Sequence, residues 1–345
     1  MNQQQSGYTP SPDLEAYMIL AQEIFRRVYA DESAQDVHQW LLAQLQKLSG
    51  GDERARLSWE QSFDLYAEIM AKRAEQAALP VEQRRLLTWP WQTWNKYLDP
   101  LDPGLLAVIA GADGSGKTLY AENLAEHWAK CGLKVVFVHF ELNRALMLDR
   151  RMARHSGILR RDLKTGTLTP AQQAEQERAN AELRQWQGSI TYVHTPGWPM
   201  ERAMSEVTAL VRDDLCDVFI IDYLEKAAAS QRQIRTFGNN IFAREADNVE
   251  IVKALAEALE RPAILLAQMN KAGKQQQFDN LDRTAIRGAG EKTEKANIVV
   301  LLHRDSSESQ IVQVRIDKNT MGACGSFEQY MHGQRFMVRD MAGAL

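Results

Sequence analysis

From residue 13 onward the chain is written in apolar positions whose spacing changes from helical to strand-like. Leu14, Met18, Ala21, Phe25 and Val28 recur at alternating steps of four and three, and Val37, Leu41, Leu45 and Leu48 repeat the pattern after "ADESAQD". Such steps gather apolar side chains on one stripe of a helix. They predict a helical hairpin within residues 1–50, behind a polar tail at 1–12. "SGGDER" at 49–54 interrupts the pattern, and a further helix is expected over 59–75, with Trp59, Phe63, Tyr66 and Met70 on one face. The following stretch, "LPVEQRRLLTWPWQTWNKYLDPLDPG", carries three tryptophans and four prolines. It suits an extended connector better than a helix. Its indoles either anchor the connector to neighbouring structure or stack on nucleic-acid bases.

Beyond residue 103 short apolar runs alternate with helical patterns. Strands are predicted at 105–110, 134–140, 189–194, 217–222, 262–267, 297–303 and 310–317. Tyr120, Leu124 and Trp128 mark one intervening helix, and Val249, Val252, Leu255 and Leu259 another. Alternation of this kind predicts an α/β fold with a mostly parallel sheet covered by helices. Three parts are therefore expected: a helical hairpin at 1–50, a linker helix and connector at 51–103, and an α/β domain at 104–345.

Four places where an apolar run ends carry chemistry. The first leads into "AGADGSGKT", in which Gly111, Gly114, Ser115, Gly116, Lys117 and Thr118 form a nucleotide-phosphate loop. Its glycines let main-chain N–H groups close around phosphate oxygens at a helix N-terminus. Lys117 would reach the outer phosphates of ATP, and the Thr118 hydroxyl would ligate Mg²⁺. "VFIID" ends in Asp222, a carboxylate at the edge where α/β sheets bind ligands, and a second candidate for holding Mg²⁺. "KVVFVHFE" ends in Glu141, a candidate general base for the attacking water, or else an acidic residue that favours a helix start. "AILLAQ" ends in Gln268, whose amide can both donate and accept and so can sense the terminal phosphate. A polar segment, "KAGKQQQFDNLDR", follows it and could turn nucleotide state into motion.

Composition narrows the setting. The net charge of -4 leaves no global basic field, so any nucleic-acid surface must be local, such as the lining of a ring. Cys131, Cys216 and Cys324 stand far apart without metal-ligand spacing, as expected of buried thiols in a reducing compartment. No apolar run approaches the ~18 residues of a membrane span, and a cytoplasmic location is expected.

The four elements in this order resemble the RecA-like motor domain of DnaB-type replicative helicases. "FELN", "IIDYLEKA", "ALAEALERPAILLAQMNK" and "IRGAGEKTEKANIVVLLHRD" carry the resemblance, and the linker helix with "LLTWPWQTWNKYLDPLDPGLLAVIAG" extends it over residues 58–340. The resemblance implies a RecA-like P-loop motor and an ATP-driven ring, usually of six subunits, encircling single-stranded DNA. It implies ATP sites shared between neighbours and a linker helix docked on the next subunit. It further assigns Arg287, Gly288 and Gly290 to a DNA-gripping loop, and Lys318 to catalysis in a neighbour's site. Thr320 stands where the family has a second, arginine finger, so Arg315 or another arginine substitutes, or hydrolysis is slower or differently triggered. "KAN" at Lys295 to Asn297 replaces the family's Asp-Ala-Asp. The amino-terminal helices would serve oligomerisation or a loader or accessory protein. The other reading is a RecA-like ATPase switch or scaffold that remodels a protein or nucleoprotein without unwinding.

Overall fold

The computed structural model describes residues 58–80, 84–141, 144–270, 276–287, 289–306 and 308–341, with residue 273 and residues 20, 23, 24, 26, 27, 33 and 36–41. Most of the hairpin expected within 1–50 lies outside these residues, although 36–41 are helical. Contacts divide the chain into two units, Met1–Leu79 and Pro80–Leu345. In the first unit, helix α1 spans Trp59–Ala78. Ser58 starts it with a capping box: its Oγ accepts from Gln61 N at 3.2 Å, and its N donates to Gln61 Oε1 at 2.8 Å. No residue of α1 is buried, and Trp59, Phe63, Tyr66 and Met70 are exposed. Among the described residues, no helix is long and apolar enough to cross a membrane.

The second unit is a nine-stranded sheet in the order β3-β2-β4-β5-β1-β6-β7-β8-β9. Its strands are β1 Leu106–Gly111, β2 Val135–His139, β3 Ile190–His194, β4 Val218–Asp222, β5 Ala263–Gln268, β6 Ile298–His303, β7 Ile311–Asn319, β8 Gly325–His332 and β9 Met337–Asp340. Strands β1 to β6 are mutually parallel, and β7 to β9 continue the sheet antiparallel. The helices are α2 Gln92–Asn95, α3 Lys117–Lys130, α4 Arg144–Ser156, α5 Arg160–Thr165, α6 Pro170–Trp186, α7 Met200–Arg212, α8 Gln231–Phe237, α9 Ile241–Ala258 and α10 Ala289–Lys295. The central strands β1, β2 and β4 are buried along their whole length. Coverage on both faces is why they read as unbroken apolar runs. Ala107 and Ile109 pack with Leu124 and Trp128 of α3, while Val108 and Ala110 pack with Val249 and Val252 of α9. All seven predicted strands are present.

The connector is nailed to this domain by its indoles. Trp89, Trp91 and Trp94 are 4% exposed or less and meet Tyr120 and Trp128 of α3. Each polar edge is satisfied. Trp94 Nε1 donates to Gln329 Oε1 at 2.9 Å, Trp91 Nε1 to the Val338 carbonyl at 3.0 Å and Trp89 Nε1 to the Asp99 carbonyl at 3.0 Å. Tyr120 Oη donates to the same Gln329 Oε1 at 3.0 Å. Of the two readings of these tryptophans, anchoring is the one observed: a fully buried indole has no face left for a base.

A second clamp is ionic. Glu122 and Glu126 of α3 are buried against Arg151, Arg154 and His155 of α4. Arg154 reaches both carboxylates, at 2.9 Å and 3.0 Å, and His155 bridges Glu126 to Glu182 of α6 at 3.0 Å on each side. Burial alone would raise the pKa of Glu126, but Arg154, His155 and Arg151 outweigh it and bring it down to about 2. A carboxylate held below its unfolded value stabilises the fold above that value, near 4.5, and loses the contribution as pH falls towards 2. Glu126→Gln should therefore cost about 3 kcal/mol at pH 7. In urea unfolding curves the gap to the parent protein should close between pH 4.5 and 2. A gap independent of pH would refute the ionic account.

Candidate functional site

Because β1, β5, β4 and β2 are neighbours in parallel, their C-terminal ends share one edge of the sheet, with Gly111 opposite Gln268 and His139 opposite Asp222. The loop after β1 and the start of α3 form the floor of a cleft there. About 450 Å³ in volume, it is lined by Gly114, Gly116, Lys117 and Thr118, with Glu141, Tyr223 and Gln268 from the neighbouring strand ends. Of the sequence-predicted residues, Gly114, Gly116, Lys117, Thr118, Glu141 and Gln268 thus line one cleft, while Gly111, Ser115 and Asp222 are not among its lining.

The loop is shaped by its glycines. Gly114 and Gly116 have φ of 77° and 100°, conformations that L side chains rarely adopt. A Cβ on Gly111 would lie 2.2 Å from Ser115 Oγ and 2.9 Å from the Leu302 carbonyl, and one on Gly116 would lie 2.8 Å from Met331 Sδ. At Gly111 and Gly116 the main chain is therefore held where a side chain would crowd its neighbours, and the loop leads into a helix N-terminus, where an anion is favoured. Lys117 Nζ donates to the carbonyls of Gly111 at 2.8 Å and Ala112 at 3.0 Å. Its ammonium is thereby folded over the loop, within reach of any phosphate that enters.

Asp222 is 2% exposed, with one carboxylate oxygen 3.2 Å from His139 Nδ1 and the other, Oδ1, lacking a hydrogen-bond partner. A buried carboxylate oxygen without a donor is costly unless a cation or water completes it. That orphan, with the Thr118 hydroxyl in the cleft, fits Mg²⁺ held jointly with phosphate oxygens. When bound, the ion would neutralise charge on the outer phosphates. Among the described residues no group of three or more His, Cys, Asp or Glu side chains could hold a metal ion by itself.

Glu141 is exposed at the mouth, 3.4 Å from Lys226 Nζ. Hydrogen bonding to Tyr223 and Glu141 raises the Lys226 pKa, so a fixed positive charge stands beside the carboxylate. Gln268 Nε2 donates to Asp113 Oδ1 of the loop at 3.0 Å, and the Gln268 N–H donates to Glu225 Oε1 at 3.1 Å. Its carbonyl accepts from Arg287 N at 2.9 Å. One residue thus touches the phosphate loop with its side chain and the Arg287 segment with its main chain.

Arg150 and Arg304 also line the cleft, and sequence reasoning does not single them out as site residues. Arg150, on α4, stands 3.4 Å from Glu122, and Arg304 Nη1 donates to the Gly114 carbonyl at 2.6 Å. Arg150 is one arginine among many until the fold brings it to the cleft; Arg304 lies in the "LLHRD" stretch that carries the family resemblance, which marks the segment and not the contact with the loop.

Lys318 is elsewhere. On β7, its Nζ donates to the Thr293 and Glu294 carbonyls at the end of α10, at 2.8 Å and 2.9 Å, and it is not among the residues lining the cleft. Arg287 pairs with Glu245 at 3.4 Å, Gly288 lies outside the described residues, and Gly290 is exposed within α10 rather than in an open loop. The "KAN" departure is structural: Lys295 pairs with Glu250 at 2.8 Å, and Asn297 Oδ1 accepts from Leu106 N and Lys253 Nζ, each at 3.0 Å.

A family model, the DnaB-like helicase C-terminal domain, matches residues 90–337. The chain belongs to that family. Among relatives, the replicative DNA helicase DnaB of Geobacillus stearothermophilus is 27% identical over 233 residues, covering 65% of this chain and 49% of the relative. DnaC of Bacillus subtilis (strain 168) is 25% identical over 64% and 49% of the two chains, and a probable plasmid replicative DNA helicase of Chlamydia trachomatis is 24% identical over 67% and 49%. The chain thus spans about half the length of the curated relatives it matches. Two solved structures share the fold at 17% identity. One is an ATPase domain, with a TM-score of 0.68 over 80% of this chain and 98% of that one. The other is a DnaB-like replicative helicase, described with its interactions with primase, with a TM-score of 0.73 over 95% and 76%. The α/β architecture expected from the apolar runs is the RecA-like ATPase fold of this family.

Gly116→Ala should weaken nucleotide binding by about 5- to 150-fold, from the ~1–3 kcal/mol cost of forcing a side chain into this backbone region. Equilibrium titration with a fluorescent ATP analogue measures it, and unchanged affinity would show that the loop does not need this conformation.

Proposed function

We propose that the chain is the ATP-hydrolysing motor of a ring-forming DNA helicase that moves along single-stranded DNA. The observation that carries it is Gln268, which hydrogen-bonds the phosphate loop and the Arg287 segment from one strand end. In this reading Lys117 and the loop amides bind the phosphates of ATP, and Thr118 with Asp222 holds Mg²⁺. Glu141 orients and deprotonates water, while Gln268 reports the terminal phosphate to the Arg287, Gly288 and Gly290 segment on the DNA side. Membership of a helicase family supports it, as do the names of relatives that are replicative helicases. The exposed stripe of α1, with Trp59, Phe63, Tyr66 and Met70, is proposed to dock on a neighbouring subunit, and the amino-terminal helices to meet a loader or accessory protein.

Lys318 is assigned to the neighbour's site, which agrees with its distance from the cleft of its own chain. Subunits carrying Lys117→Ala or Lys318→Ala should each lose nearly all single-strand-stimulated ATP hydrolysis. Mixed, they should recover part of it, because in a head-to-tail ring roughly one interface in four then joins an intact loop to an intact Lys318. Absence of any recovery would remove Lys318 from a trans role. A protein that stays monomeric with ATP and single-stranded DNA present would overturn the ring.

A further inference from the structure

We propose that the exposed ring of Phe242, backed by Arg287, is a stacking platform for one unpaired base of a bound single strand. This rests on reading the chain as a motor that tracks single-stranded DNA. Phe242 is the second residue of α9, whose start is fixed by Asn240 Oδ1 accepting from Ala243 N at 3.1 Å. The ring is 57% exposed beside Ile241, itself 48% exposed, so a large aromatic surface faces water at a rigid helix end. Arg287 Cζ lies 5.9 Å from the ring centroid, within cation–π range. Its Nη2 is 3.4 Å from Glu245 Oε1, one turn further along α9, and Glu245 is buried.

That pairing changes what Arg287 is suited to do. Its charge is already shared with a buried carboxylate, which weakens it as a lone phosphate clamp. The same pairing fixes the guanidinium against the ring and makes a preformed cation–aromatic pair. With more than half of its surface open, the ring has area left for a base, and aromatic–base stacking tolerates any sequence. The surroundings favour a polyanion over an apolar protein partner. Arg235 is exposed on the preceding helix and Arg244 is half-buried on α9, while the nearby Asp247 is taken up by Arg232 and Gln233. The platform is also tied to the ATP cleft, since Arg287 N donates to the Gln268 carbonyl at 2.9 Å. A base held there would feel any displacement of that strand end.

The test compares a fluorescent oligothymidylate with an abasic strand of equal length, titrated at one fixed salt concentration with a non-hydrolysable ATP analogue present. The parent protein should prefer the base-bearing strand by about 5- to 100-fold. Phe242→Leu should lose that preference while keeping its affinity for the abasic strand, and Phe242→Tyr should retain it. A preference unchanged in Phe242→Leu would overturn the platform and leave the motor reading standing. A parent protein that binds neither strand would instead overturn the motor reading. A changed oligomer mass by light scattering in Phe242→Leu, with the base preference intact, would show that the ring packs against a second copy of the chain, which also overturns the platform.

Discussion

The parallel pairing of β1, β5, β4 and β2 is the constraint on which the site depends. A parallel strand must return to the starting edge through a crossover before the next begins, so all the strand ends, and the residues that follow them, collect on one side. β5 is placed between β1 and β4, which sets Gln268 between the phosphate loop and Asp222. Glu141, Asp222 and Gln268 need no special local fold to reach this edge, since each stands at or just beyond the end of a buried strand, whereas Lys117 needs the glycine loop. The register does the positioning, and the full burial of β1, β2 and β4 keeps that register from slipping.

The helix behind the loop must also hold still, and two different interactions fix it. On one side Tyr120 and Trp128 are packed under the indoles of the connector, with Gln329 accepting from both Tyr120 and Trp94. On the other, Glu122 and Glu126 are gripped by Arg151 and Arg154 of the helix that begins soon after Glu141. The apolar clamp contributes burial, worth a few kcal/mol for each large side chain. The ionic clamp is directional and costly to break. Together they tie the phosphate loop to the connector and the Glu141 strand end to the phosphate loop. A disturbance of the connector therefore has a rigid route to the nucleotide.

Much of this is legible in the sequence, for identifiable reasons. Strands buried on both faces read as unbroken apolar runs, so β1, β2, β4, β5 and β6 stand out and, with them, the edge carrying Lys117, Glu141, Asp222 and Gln268. β3 and β7 show by shorter or alternating apolar positions. β8 and β9 do not. "GSFEQYMH" opens on glycine and alternates exposed with half-buried positions before its buried end, and "MVRD" is four residues long, so neither differs visibly from a loop. Arg150 escapes because it reaches the cleft only through tertiary packing, and Arg304, though inside a stretch that carries the resemblance, shows its contact with Gly114 only in the fold. Asn297 has the look of a lost acidic residue of the family; its side chain in fact accepts from the first residue of β1 and from Lys253. Residue type at one position cannot show that. Burial is decisive for the tryptophans, whose chemistry alone suits bases and cores equally.

The absence of an arginine at Thr320 is sharpened by where the neighbouring cations sit. Arg315, near in sequence, is part-buried: it donates to the Leu281 and Asp279 carbonyls and lies 4.9 Å from the Phe278 ring centroid. To serve a neighbour's phosphate it would have to give up all three contacts and release the 278–281 turn. Lys318 faces a lighter demand, leaving two carbonyls at the end of a seven-residue helix. Burial, with Arg283 nearby, lowers the Lys318 pKa, so its ammonium is less well stabilised here than in water. In the proposed ring, a neighbour's phosphate would offer that ammonium a full negative charge in place of two carbonyl dipoles. For Arg315 the same exchange breaks a structure that the arginine itself assembles. In the proposed ring, the positive charge most readily delivered to a neighbour would therefore be that of Lys318, while Arg315 holds the 278–281 turn against β7.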